Sequence, residues 1–291
     1  MQWRSMCSLA VLLTSLAAGS GLAAAERSIR DAPTFATMDR QDATSLVGGQ
    51  LGFTFLDPGG LSDPGGNDLT GLRFDLYGQF VGRNRVGFYG IIPLSRLIVE
   101  DVDDESAVGN VEAGLLYILP TGPGTEVVLH GGVTLPTADS DIAGARGGVI
   151  ANQLSTWPRL TDFAQTWPKT FWVRLALSPI VQRGRFVLRA DLGVDAALAS
   201  DDTFQEPDPI VRVNLGGGLD TGTLAVLGEL VTIANTGGDT DRGEDLLHTF
   251  ALSLRIRTGR LEPAFAVGFP LDDSVREFID LFLIIGLQGR V

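Results

Sequence analysis

The chain has 291 residues, of which 44% are hydrophobic and 20% charged, and its formal net charge at pH 7 is −13. This acidic balance argues against nucleic acid as a partner, because proteins that bind nucleic acid present basic surfaces. Cys7 is the single cysteine, so no disulfide is expected within the chain.

Residues 1–25 have the three parts of a secretory signal peptide. Arg4 provides the positive charge, residues 9–16 form the apolar core, and Ala23-Ala24-Ala25 is a cleavage site of the A-x-A type. The apolar run is too short for a membrane-spanning helix, and no later segment is long and apolar enough for one. We therefore predict cleavage after Ala25.

Residues 26–44 are polar and lack the alternation of a strand. We predict a periplasmic N-terminal tail here, either mobile or folded into the body of the protein. The remaining residues, 45–291, are predicted to form one β-barrel domain.

Residues 107–136 contain two segments of strand length joined by a turn rich in glycine and proline. Apolar side chains alternate with polar or small ones in both, as in a strand with one apolar face. This pattern recurs to the end of the chain. The predicted strands are 45–56, 69–81, 84–94, 107–119, 125–136, 169–182, 185–199, 209–219, 222–235, 246–258, 260–270 and 277–291.

The connections between these segments alternate between short and long. The short ones are 82–83, 120–124, 183–184, 220–221 and 259, and the long ones are 57–68, 95–106, 137–168, 200–208, 236–245 and 271–276. Outer-membrane barrels have short periplasmic turns and long extracellular loops. The sequence therefore predicts an all-β, transmembrane, antiparallel up-and-down barrel of about 12 strands in the bacterial outer membrane.

The polar faces of the predicted strands carry charges of both signs. A barrel in lipid must turn these faces toward its lumen, since the outer face meets hydrocarbon. The candidate lumen and selectivity residues are Arg73, Asp75, Glu112, His130, Arg174, Arg189, Asp191, Arg212, Glu229, Arg255, Glu262 and Asp280. They indicate either a polar permeation path or a network of ion pairs that fills a narrow lumen.

One region also resembles a known family. The strand with Gly109, Asn110, Glu112 and Gly114, and the following strand that ends in Leu135-Pro136-Thr137, are similar to the phenol-degradation "MetA-pathway" family of outer-membrane β-barrel transporters. The chain departs from the family pattern in having Asn110 instead of Asp and Ala138 instead of Gly. The resemblance implies passage of small or apolar molecules and no named substrate. We expect small solutes, apolar or aromatic ones included, and no cofactor.

The long connection 137–168 is unusual because it is rich in apolar residues. A connection of this length without strands is more often functional than a simple linker. We predict that Trp157, Leu160 and Phe163 form a lid or constriction at the barrel mouth. Trp157 could alternatively belong to the interfacial aromatic girdle.

The sequence favours a passive outer-membrane channel or transporter for small solutes, and leaves two alternatives. One is a non-conducting structural or surface-interaction barrel, and the other is a barrel lipid hydrolase that would use His130. No G-x-S-x-G motif is present, so no catalytic residue is assigned. Acidic stretches at 100–105 and 237–245 fall short of a calcium-loop pattern, so no metal site is assigned. Outer-membrane lipids and lipopolysaccharide are the expected partners besides the solute.

The alternation of connections predicts which turns face the cell exterior. In a chain without Cys7, single cysteines at Asp63 and Asp239 should react with an impermeant thiol reagent on intact cells. Cysteines at Gly122 and Gly184 should not react until the membrane is opened. Labelling of Gly122→Cys from outside would reverse the proposed orientation.

Overall fold

A computed structural model describes residues 32–56, 69–99, 104–138, 148–199, 207–236, 246–257 and 259–291. The predicted signal peptide and the acidic stretch 237–245 lie outside the described residues. The strands are β1 (Leu46–Leu56), β2 (Leu69–Val81), β3 (Val86–Val99), β4 (Glu105–Val108), β5 (Glu112–Gly122), β6 (Thr125–Thr134), β7 (Phe171–Arg183), β8 (Phe186–Ala199), β9 (Ile210–Asp220), β10 (Leu224–Asn235), β11 (Leu246–Ile256), β12 (Leu261–Pro270) and β13 (Ile279–Arg290).

The strands form one closed antiparallel barrel. Neighbours in the chain pair with each other, and β1 pairs with both β2 and β13, which closes the ring. The short strand β4 is an addition that pairs with β3. Together, β4 and β5 replace the single predicted strand 107–119. The predicted all-β up-and-down barrel of 12 strands is confirmed, with β4 as one extra strand.

The predicted alternation of short and long connections is present, with one correction. β3 continues to Val99, so the predicted long loop 95–106 is shorter than expected. The reason is that residues 95–99 keep the alternation of a strand, with Leu97 buried and Ile98 exposed. β3 therefore extends past the end of β5. Its first half pairs with β5 and its second half pairs with β4.

The outer face of the barrel is apolar and the inner face is polar. In β11, Leu252 is 53% exposed while the adjacent Ser253 is 6% exposed. The same alternation holds in β2, where Phe74 and Leu76 face outward and Arg73 and Asp75 are buried. Within the described part of the chain, no helix is long and apolar enough to cross a membrane.

Two segments outside the strands fill the interior. The first is residues 32–44, all of which are buried. The second follows β6 and contains α1 (Gly148–Leu154) and a 3-10 helix (Trp157–Thr166). We call these the N-terminal insert (residues 32–44) and the loop insert (residues 148–168). A further short helix, α2 (Asp273–Arg276), lies between β12 and β13.

The N-terminal insert enters and leaves at the end of the barrel where the short turns lie. At one end, Ala32 accepts a hydrogen bond from Arg290 (3.2 Å), which terminates β13. At the other end, the carbonyl of Ser45 accepts a hydrogen bond from the backbone N–H of Val291 (3.1 Å). Residues 32–44 thus differ from a free periplasmic tail, because their polar groups pair with those of the lumen.

The assigned faces predict how the barrel tolerates charge. Leu252→Arg places a cation near the middle of the lipid face and should cost about 2–4 kcal/mol of folding free energy. Leu246→Arg is the matched control, because Leu246 is exposed on the same strand but at the end where the long connections lie. There the cost should be about 0–1 kcal/mol. Equal losses in folding titrations into lipid vesicles would contradict the assigned face or depth.

Candidate functional site

The lumen gathers nearly all the charged residues that the sequence predicts for it. These side chains come from nine strands and are buried inside the barrel: Arg73, Asp75, Glu112, His130, Arg174, Arg189, Asp191, Arg212, Glu229, Arg255 and Glu262. Alternation along each strand is sufficient to place them, since it does not depend on which strands are neighbours.

Asp280 is the exception, because it is exposed on the outside of β13. The pairing of β1 with β13 shifts here: Leu56 pairs with Ile279 and Phe55 with Leu281. Asp280 is therefore the extra residue of a bulge, which reverses the face of the residues beyond it. The predicted lumen position of Asp280 is wrong for this reason.

The N-terminal insert is fixed to the wall through an ion pair. Both carboxylate oxygens of Asp39 accept hydrogen bonds from Nη1 of Arg212, at 2.5 and 2.7 Å. His130 Nε2 lies 3.4 Å from the same carboxylate. Arg212 also donates to Asp195 (2.9 Å), so one arginine joins the insert to two strands of the wall.

Glu229, near the middle of β10, binds the insert through its backbone. Its carboxylate accepts hydrogen bonds from the N–H groups of Ala36 (3.0 Å) and Thr37 (2.6 Å). It also accepts hydrogen bonds from the hydroxyls of Thr37 and Ser253. These donors satisfy a carboxylate that is fully buried, which a bare lumen would leave to be solvated by water.

The loop insert places a carboxylate among four arginines. Asp162 lies 3.0 Å from Arg159, 3.1 Å from Arg40, 3.4 Å from Arg174 and 3.6 Å from Arg73. Burial alone would raise the pKa of Asp162, but the four guanidinium groups outweigh it and hold that pKa below its ordinary value. Asp162 is therefore ionised and neutralises charges from both inserts and from the wall.

The two inserts also contact each other. Arg159 of the loop insert donates from Nη1 to the carbonyl oxygens of Ala36 (2.9 Å) and Met38 (2.6 Å). Arg40 of the N-terminal insert binds Asp162 and the wall residue Asp75 (2.6 Å). The inserts thus enter from opposite ends of the barrel and meet near its middle.

The motif that resembles the MetA-pathway family holds the loop insert in place. Asn110 donates from its amide to the carbonyl oxygens of Ala164 (3.2 Å) and Trp167 (2.7 Å). Glu112 accepts hydrogen bonds from Gln165 (2.7 Å) and from Arg174. Both residues are buried on the inner side of the wall. Asn110 lies between β4 and β5, and Glu112 is the first residue of β5.

The second half of the motif supports the first. The hydroxyl of Thr137 accepts from the N–H of Val111 (2.8 Å) and donates to the carbonyl of Gly109 (3.0 Å). The N–H of Ala138 donates to Asn110 Oδ1 (2.8 Å), which leaves the amide group of Asn110 free to bind the loop insert. The two stretches of the motif are therefore one anchoring unit in space.

The three predicted lid residues all belong to the 3-10 helix. Trp157 and Leu160 are 8% and 1% exposed, and Phe163 is partly buried. Trp157 makes an edge contact with Phe278 (6.4 Å between ring centres), and Phe163 packs on Trp167 (5.9 Å). The lid residues therefore pack deeper than a girdle at the lipid interface would require.

Little space remains where the N-terminal insert meets the wall. The cavity bounded by Arg40, Gln41, Tyr77 and Tyr89 has a volume of about 10 Å³, which is about the least that can hold one water molecule. His130 packs edge-on against Tyr89 (6.2 Å between ring centres). In the part of the chain that the structure describes, no hydrogen bond joins His130 to a serine.

Sequence reasoning missed the polar residues of the inserts themselves. Asp39, Arg40, Arg159 and Asp162 are as deeply buried as the wall residues. They lie outside any alternating strand, so periodicity gives no indication of their position. The only available signal was the presence of charges of both signs within segments that also contain apolar residues.

Three solved structures share this fold with low sequence identity. The COG4313 outer membrane channel from Pseudomonas putida F1 matches with a TM-score of 0.62 and 14% identity over 86% of this chain and 97% of that one. The NanC porin has a TM-score of 0.52 and 6% identity over 85% and 100%. The KdgM porin in complex with disordered oligogalacturonate has a TM-score of 0.50 and 9% identity over 84% and 98%.

The chain has the fold of an outer-membrane barrel. This is the architecture that the sequence predicts for a protein of the bacterial outer membrane, and the match to the COG4313 channel agrees in fold with the resemblance to the MetA-pathway family. No family model and no curated protein matches the sequence. At these identities the comparison establishes the architecture, and the role of the lumen has to be argued from its own residues.

The pair between Asp39 and Arg212 predicts a strong energetic coupling. Asp39→Asn or Arg212→Met alone leaves a buried charge without its main partner and should cost about 3–5 kcal/mol. The double variant should cost less than the sum of the two, because both charges are removed. Urea unfolding of the refolded barrel measures the three values. Strict additivity would mean that the pair contributes nothing to holding the insert.

Proposed function

We propose that this protein is an outer-membrane channel for the passive passage of small solutes, and that the conformation described here is its closed state. The proposal rests on one observation: the lumen of a closed barrel is filled by two segments that are not part of its wall. Both are held there mainly by side-chain hydrogen bonds and ion pairs, which can be exchanged for water without breaking the barrel.

The contacts of the inserts support a removable closure. The wall arginines have wall partners that do not depend on the inserts: Arg73 binds Asp75 (2.9 Å), Arg189 binds Asp191 (2.7 Å) and Arg212 binds Asp195 (2.9 Å). These pairs would persist after an insert moved. The opened lumen would then be lined by paired charges of both signs in contact with water, which suits a path for hydrated solutes.

The extracellular part of the loop insert offers an apolar surface to an incoming solute. Phe163, Trp167 and Phe278 are partly buried and belong to the same apolar cluster as Leu160. A small apolar or aromatic solute would meet this cluster before it met the charged middle of the lumen. Solutes of this class are also those that the family resemblance implies.

Outer-membrane lipids and lipopolysaccharide remain proposed partners. Long loops on the extracellular side carry acidic residues, among them Glu100, Asp101, Asp239 and Asp241. We hypothesise that divalent cations link these carboxylates to anionic lipopolysaccharide. Such an interaction would be screened by salt.

A non-conducting structural barrel is the second candidate function. The observation that favours it is the density of the ion-pair network, in which Asp162 alone has four arginine partners. A network of this kind could serve rigidity alone. Conductance measurements on variants without the inserts distinguish the two candidates.

Removing the inserts should open the channel. Deletion of residues 33–43 or of residues 149–166 should each raise single-channel conductance in planar bilayers, and the double deletion should raise it most. The reason is that each insert blocks a different end of the lumen. Removal of α2 (Asp273–Arg276), whose charged residues are exposed at the rim, is the matched control and should leave conductance unchanged.

Heat-modified mobility on gels should show that all three deletion variants still form barrels. If the double deletion forms a barrel that conducts no more than the intact protein, the channel proposal fails and the structural barrel is favoured.

A further inference from the structure

The turns at the periplasmic end carry exposed arginines that the lumen network does not use. Arg83 and Arg85 lie in the turn between β2 and β3, Arg183 and Arg185 flank Gly184 between β7 and β8, and Arg260 precedes β12. All five are exposed. Within the described ranges of the chain, none of them forms an ion pair.

Two of these turns have the same arrangement of arginines and neighbouring aromatic residues. Each has two arginines separated by one residue, in Arg83-Asn84-Arg85 and in Arg183-Gly184-Arg185. Each is also flanked by aromatic side chains on the lipid face. Phe88 is 59% exposed and packs on Phe80 (5.7 Å between ring centres), and Phe186 is 70% exposed. Each pair of arginines therefore lies within three residues of an exposed aromatic side chain.

The first of these turns keeps an arginine where glycine would fit more easily. Arg85 has a φ of 66°, and Gly184 of the second turn has a φ of 60°. Side chains other than glycine rarely adopt this left-handed conformation. The turn is nevertheless regular, with hydrogen bonds from Gly82 N to Val86 O (2.9 Å) and from Arg85 N to Gly82 O (3.0 Å).

The described acidic side chains at this end of the barrel are buried, Asp42 and Glu126 among them. Asp220 and Glu262 are buried and are bound by Arg257, at 2.8 and 3.4 Å. Glu262 is also bound by Arg290 (2.6 Å). Among the described residues, the charged side chains exposed in the short turns are thus arginines, in a chain whose formal net charge is −13.

We propose that these two arginine turns bind the phosphate groups of anionic phospholipids in the periplasmic leaflet of the outer membrane. Guanidinium groups bind phosphate oxygens in pairs with favourable geometry. The adjacent phenylalanines would lie among the acyl chains just above the headgroups, as interfacial aromatic residues do. The proposal depends on the orientation of the barrel and is independent of whether the lumen conducts.

The test measures lipid retained by the refolded full-length protein. Native mass spectrometry would count phosphatidylglycerol and phosphatidylcholine molecules carried from nanodiscs that contain both. The intact protein should retain phosphatidylglycerol preferentially. R83Q/R85Q should reduce that retention by about fivefold per arginine, since a basic residue near an anionic surface contributes about 1 kcal/mol. R183Q/R185Q should act in the same direction.

The matched control removes two exposed arginines from the opposite end of the barrel. Arg96 and Arg276 have side chains that are 53% and 62% exposed, and R96Q/R276Q should leave phosphatidylglycerol retention unchanged. R83K/R85K should fall between the intact protein and R83Q/R85Q, because lysine keeps the charge but loses paired hydrogen bonding.

Three outcomes would overturn the proposal. One is equal retention of the two lipids by the intact protein, and another is an equal loss in the control R96Q/R276Q. The third is that R83Q/R85Q still retains phosphatidylglycerol but no longer binds soluble peptidoglycan fragments. The turns would then be a site for the acidic peptides of the cell wall. Millimolar inorganic phosphate serves as a competitor. It should not displace phosphatidylglycerol from a site for lipid headgroups, whereas it would displace the lipid from a site for free phosphate.

Discussion

Ionised groups that are withdrawn from water need partners, and this requirement shapes the interior of the barrel. Lipid on the outside favours strands that turn their polar faces inward, because a charge on the lipid face near the bilayer midplane costs about 2–4 kcal/mol. The result is a lumen in which Glu229 and Arg212 are fully buried. The N-terminal insert supplies most of the donors to Glu229, and it shares Arg212 with Asp195 of the wall. The inserts therefore fill the lumen and also provide partners for the charged groups of the wall.

The meeting of the two inserts makes the closure cooperative. Asp162 binds arginines of the wall and of both inserts, and Arg159 binds backbone carbonyls of the opposite insert. Moving one insert would remove some of the partners of buried charges on the other, such as the contact of Asp162 with Arg40, which is costly. Closure of this kind favours two states, with both inserts in place or both displaced, over a half-filled lumen.

The stretch that resembles the MetA-pathway family has a structural explanation. It anchors the loop insert through Asn110 and Glu112, and it depends on close packing around Tyr89, whose hydroxyl donates to Glu112 (2.8 Å). A Cβ at Gly114 would lie 2.6 Å from the Tyr89 ring, and one at Gly132 would lie 2.3 Å from its hydroxyl. Glycine is needed at both positions so that the tyrosine can cross the inner wall.

The sequence alone determined the strands, their faces and the order of short and long connections. Alternation is a local property, so it identified Arg73 and Glu262 as inward residues without any knowledge of their neighbours. It failed at Asp280, because a bulge is defined by the pairing of two strands. It gave no position for Asp39 or Asp162, since neither lies in a periodic segment. Only closure of the barrel decided which charges meet, because partners such as Asp39 and Arg212 are brought together by the whole ring.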